Sequence, residues 1–152
     1  MTMSVTLICP QNISLSIIAK VLNKEWDGKV FTDSLETPEY QINYSGRGLH
    51  IYELIPGEEV FEDYSTNEFL PEVFTQSLNE SHRYFDIGFS IFELAKDVIE
   101  VLLMNLLEET TDIWFDSEYC WVLRGKDILY LIQKHPDFDW RTEKPPLPCK
   151  ME

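Results

Sequence analysis

The chain has 152 residues, a formal net charge of -15 and a pI near 4.4, with 44% hydrophobic and 13% aromatic residues. That apolar share is too high for a disordered acidic tail and is enough to build the core of one domain. Only 12 lysines and arginines are present, so nucleic acid and anionic membrane surfaces are disfavoured as partners, because phosphate binding draws its affinity from those residues.

Ser4 to Cys9 reads as a short buried strand that stops at Pro10. A helix follows, capped by Asn12 or Ser14, with Ile18, Val21 and Leu22 as its inward stripe. Its expected end is near Asp27-Gly28, where glycine can take a left-handed cap. Lys29 to Thr32 reads as a second strand, and Glu39 to Tyr44 alternates with Tyr40, Ile42 and Tyr44 on one face. Ser45-Gly46-Arg47-Gly48 is a hairpin turn into a strand over Leu49 to Ile55. Residues 58–80 suggest short helical turns broken at Pro71.

Tyr84 to Phe89 resumes as a strand. Ser90-Ile-Phe-Glu93 matches a capping box, in which serine and glutamate satisfy each other's amides. The helix it opens places Ala95, Val98, Ile99, Leu102 and Leu106 inward, widened by Leu103 and Leu107, with Glu93, Lys96, Asp97, Glu100 and Glu108 outward. Asp112 to Asp116 is a strand continued, after a Ser117-Glu118 turn, by Tyr119 to Leu123. Asp127 to Lys134 forms a last short helix ended by Pro136. The order predicts an α+β single domain over residues 1–142: a mainly antiparallel sheet, two main helices on one face and a short C-terminal helix. Residues 143–152, with Pro145, Pro146 and Pro148, read as a mobile tail.

The opening residues hold no basic region ahead of an apolar run, and the apolar stretch from Ile91 to Leu107 is broken by charges, so the expected location is cytoplasmic. Cys9, Cys120 and Cys149 are an odd, widely spaced set, which argues against a disulfide framework or a zinc site. His50, His82 and His135 match no metalloprotease or nucleophile pattern, and Ser45–Gly48 lacks the lysine of a phosphate loop. Asp137 and Asp139 flank Phe138 ahead of Trp140-Arg141, a surface turn whose rings pin the last helix to the core. The chain is therefore read as a non-enzyme, with no catalytic residue, metal or cofactor.

Charge is the informative feature. Gly48 to His82 holds eight acids and no lysine or arginine, and a second such window runs from Asp97 to Leu123. On the long helix, Glu93, Asp97 and Glu100 read as a solvated face. Between the strands the acids interleave with aromatics, and Glu58, Glu59, Phe61, Glu62, Asp63, Tyr64, Glu68, Phe69 and Glu72 form the candidate partner-binding site. Acids there supply steering and rings supply anchoring. An alternative is an enzyme or small-ligand protein with a metal-binding carboxylate site from Asp86, Asp112 and Asp116.

The size, acidity and aromatic-rich α+β pattern, with Val122-Leu-Arg-Gly-Lys-Asp-Ile-Leu129 and Pro136-Asp-Phe-Asp-Trp-Arg141 near the end, resemble immunity proteins of bacterial contact-dependent inhibition and related polymorphic toxin systems. The resemblance implies a non-enzymatic inhibitor bound to a cognate toxin domain, often basic and acting in the cytoplasm. It carries no diagnostic motif and assigns no residue a role.

Overall fold

Strand propensity and period-two burial set the sheet. The computed structural model describes residues 3–32, 38–44, 47–54, 82–119 and 122–141. The strands are β1 (Met3–Pro10), β2 (Lys29–Phe31), β3 (Glu39–Tyr44), β4 (Arg47–Leu54), β5 (His82–Phe89), β6 (Trp114–Asp116) and β7 (Val122–Arg124); the helices are α1 (Leu15–Leu22), α2 (Phe92–Leu106) and α3 (Gly125–Lys134). All seven strands form one sheet in the order β2-β3-β4-β5-β1-β6-β7, and each neighbouring pair is antiparallel. The fold is α+β, as the element order predicts. The two long central strands, β1 and β5, pair over their full length from Met3↔Phe89 to Pro10↔His82.

Alternate strand residues face one core. Val5, Leu7 and Cys9 of β1, Tyr40 and Ile42 of β3, Leu49 and Ile51 of β4, Phe85, Ile87 and Phe89 of β5, Phe115 and Leu123 share a single buried cluster with side chains from all three helices. The long helix α2 supplies most of them, from Leu94 to Leu106. Fully burying a side chain such as Leu102 is worth about 1.5–3 kcal/mol. Trp140 closes the core edge: it is buried against Phe89, Phe92, Phe115 and Phe138, with ring centroids 4.6 to 6.5 Å away. Phe138 and Trp140 thus anchor the segment that follows α3 in the core.

Several local details differ from the sequence reading. α1 ends at Leu22, and its inward face is Leu15, Ile18, Ala19 and Leu22, with Val21 only half-buried. Ser14 is the N-cap, accepting from the Ile17 amide at 3.3 Å. Gly28 does not adopt the left-handed conformation expected of a cap. Instead, Asn23 ends the helix, and its Oδ1 accepts from both the Gly28 amide (3.1 Å) and the Tyr40 hydroxyl (2.7 Å). Glycine is needed at 28 because a Cβ would overlap the Tyr40 ring and hydroxyl.

The capping box does not form. α2 begins one residue later, with Ile91 as N-cap and no side-chain cap bond, because Ile91 and Phe92 pack against the core. Lys96, expected outward, is only 7% exposed: its ammonium donates to the Pro136 carbonyl at 2.8 Å and lies over the Phe92 ring. The aliphatic stem is buried while the charged end finds an oxygen. β4 takes in Arg47 and Gly48, β6 is shorter than expected, and α3 with ten residues outruns α1 with eight. The region 55–81 and the tail 143–152 lie outside the described residues.

Candidate functional site

The predicted partner-binding residues, Glu58, Glu59, Phe61, Glu62, Asp63, Tyr64, Glu68, Phe69 and Glu72, all lie outside the described residues. Within them, unmatched acid gathers on α2. Glu93, Asp97 and Glu100 follow at helical spacing, so they share one side of the helix with Met104, which is 50% exposed, and Glu108 lies in the turn just beyond its end. Among the described residues none of these four acids enters an ion pair. The nearby bases are committed elsewhere. Lys96 points inward, and Arg141 pairs with Asp139 at 2.5 Å while lying 4.3 Å from the Phe92 ring centroid. Arg141 is also drawn to Glu93 electrostatically, but it forms its ion pair with Asp139.

A largely polar row crosses the sheet face opposite the helices, a face that also buries Ile8, Tyr84 and Trp114. Residues directly across from one another form one row spanning all seven strands: Phe31, Glu39, Tyr52, Asp86, Thr6, Asp116 and Val122. Cross-strand neighbours stand only about 4.5–5.5 Å apart at Cβ, so these groups interact. The Tyr52 hydroxyl bonds the Asp86 carboxylate, and the Thr6 hydroxyl donates to Glu118 Oε1 at 2.7 Å. His50 stacks on Tyr52 and has Nδ1 3.9 Å from Glu39. Its ring also occupies the space a side chain at Gly88 would take. Burial raises the Asp86 pKa above the usual carboxylate value, with repulsion from Glu118 adding to it; His50 and the Tyr52 bond act the other way. Glu118 itself sits at φ 66, a left-handed backbone, with its amide donating to Asp116 Oδ1 at 2.9 Å.

A cavity of about 800 Å³ opens on the helix side of the sheet, near β2. Leu15 and Ala19 of α1, Val30 of β2 and Leu54 at the end of β4 supply apolar wall, and Glu53 and Arg83 supply polar wall. The latter two form a bidentate pair, Arg83 Nε to Glu53 Oε2 at 3.0 Å and Nη2 to Oε1 at 2.6 Å. Arg83 Nη1 also donates to the Gln11 carbonyl at 3.3 Å.

The alternative carboxylate site does not assemble among the described residues. Asp86 and Asp116 share a row with Thr6 between them, but Asp112 is held apart by His82 Nε2 (2.9 Å) and Trp114 Nε1 (3.0 Å). No group of three histidine, cysteine or acidic side chains placed to hold a metal occurs among those residues. Cys9 is fully buried, and that burial pushes its thiol well above the ordinary value. No described helix is long and apolar enough to cross a membrane. No family model, curated protein or solved structure matches the chain.

Two parts of this surface escaped the sequence reading. The cross-strand row depends on register, which joins residues as distant as Glu39 and Asp116. Its one local sign is the alternation of polar positions between the apolar ones in β1, β3 and β5. The cavity has no local sign, because its walls come from α1, β2, β4 and β5.

Proposed function

We propose that this chain is an acidic, non-catalytic binding protein that neutralises a cationic partner, in the manner of the immunity proteins it resembles, with a cognate basic toxin domain as that partner. The observation carrying this reading is the acidic ridge of α2 and the turn after it, where Glu93, Asp97, Glu100 and Glu108 form no ion pair among the described residues while nearby bases are turned to structural work. Charge of one sign without an internal counterpart speeds encounter with an opposite surface and fixes its orientation. In the sequence, seven further acids and no lysine or arginine fall between residues 55 and 81.

Co-expression with the product of the adjacent upstream reading frame tests the reading. A cationic, growth-arresting domain there is expected to be held in a complex that salt loosens, and growth to be restored. Reversing Glu93, Asp97, Glu100 and Glu108 to lysine should slow association on the order of tenfold at low salt, with folding unchanged by circular dichroism. Glu58, Glu59, Glu62 and Asp63 reversed together form the companion variant. A neighbour that is neither cationic nor bound overturns the proposal, and association equal to the native rate in both variants removes the acidic surfaces from it.

A further inference from the structure

The two ends of the sheet are not alike. β7 closes one end with Val122 and Leu123 buried, and it runs directly into α3. β2 closes the other, pairs only with β3, and has all three residues exposed, Val30 at 48% and Phe31 at 51%. Its outer edge presents unpaired amides and carbonyls among the described residues, which is a template for another strand. Beside it lies the 800 Å³ cavity, on the same sheet face as Val30, within the range of volumes that bind ligands.

We propose that β2 and this cavity receive an extended, cationic segment of the partner, which adds an eighth strand to the seven-stranded sheet. The proposal rests on the reading of the partner as cationic and names how it docks. In strand addition, main-chain hydrogen bonds to the edge supply affinity and pockets for alternate side chains supply selectivity. Every second side chain of the added strand would stand on the Val30 face, over the wall formed by Leu15, Ala19 and Leu54. The intervening side chains would stand on the face of Phe31 and Glu39.

Charge selects among occupants. A second copy would bring two chains of net charge -15 together edge to edge. Beside the edge, Asp27 precedes β2 and Glu39 is paired opposite Phe31. Arg83 is matched by Glu53, which leaves Lys29 as the one base of the strand. A segment alternating basic and apolar residues meets both the charge and the cavity.

The test uses the whole chain and two acetylated heptapeptides of identical composition, one alternating lysine with valine and one with lysines and valines in separate blocks. Fluorescence anisotropy at low salt is expected to show the alternating peptide binding at least about tenfold tighter, and its amide exchange partner to be Lys29–Phe31, whose exchange slows on binding. Ser16→Trp, an exposed position on the cavity wall, should erase the preference, and so should Val30→Lys, each with an unchanged circular dichroism spectrum. Equal binding of the two peptides without slowed exchange overturns the added strand and leaves a cationic partner standing. Failure of both peptides, with the cationic neighbour still captured, likewise overturns this proposal alone. A dimer in sedimentation that Val30→Lys dissolves would hand the edge to a second copy and overturn it too.

Discussion

The two faces of the sheet are built from adjacent residues of the same strands and differ in the polarity of what they hold. On the helix side, Val5, Leu7, Phe85 and Ile87 join a continuous apolar cluster with α1, α2 and α3. On the other side, one step along each strand, the row through Glu39, Tyr52, Asp86, Thr6 and Asp116 is hydrogen-bonded and acidic. A period of two lets one backbone carry both. The first face tolerates no missing volume, because interiors are close-packed. The second buries Ile8, Tyr84 and Trp114 beside its polar row and carries an electrostatic cost where a carboxylate such as Asp86 loses water.

The largest expected effect lies on the apolar face. Leu102→Ala, at a fully buried position on α2, should cost about 2–5 kcal/mol in chemical denaturation. A loss below that range would mean the surrounding side chains collapse into the space. At the margin of the same face, Gly28→Ala should cost about 1–3 kcal/mol, since Tyr40 is buried and tied to Asn23 and has no room to yield. If Gly28→Ala instead matches the native chain, the Asn23–Tyr40 bond is not holding the ring.

The smallest effects separate two carboxylates by sign. Burial raises the folded-state pKa of Asp86 above 3.8, so its charged form is disfavoured and the penalty persists at neutral pH. Asp86→Asn should therefore raise the melting temperature at pH 7, with the gain shrinking as pH falls through the raised pKa towards 3.8. Asp139 behaves oppositely. The Arg141 guanidinium holds its carboxyl below 3.8, which stabilises the fold above that value and is lost as pH falls through the lowered one. Asp139→Asn should lower the melting temperature at pH 7, by an amount equivalent to at most about 1 kcal/mol because the pair is exposed. Thermal melts of both variants across pH 3 to 8 check the contrast, and shifts of the same sign would sink it.

Much of the architecture was legible locally. The apolar run of β1, the alternation of β3 and the wide stripe of α2 each announce their element through a period that burial imposes on neighbouring residues. The errors share a cause. Ser90 and Glu93 have the pattern of a capping box, yet packing of Ile91 and Phe92 sets where α2 starts. Lys96 occupies an outward position by spacing, yet the 135–141 segment folds back over it and offers the Pro136 carbonyl. In both cases contact with residues distant in sequence outweighed the local signal, which for the missing cap is worth about 1 kcal/mol.

Sequence alone determined the sign and excess of charge, the apolar periodicities and hence the α+β class, because these are properties of single residues and their near neighbours. Tertiary structure alone decided the strand order, the acidic row across the sheet, the open edge at β2 and the cavity beside it. Those features exist only once register brings together side chains from separate strands, and register is fixed by burial of a whole face rather than by any one residue.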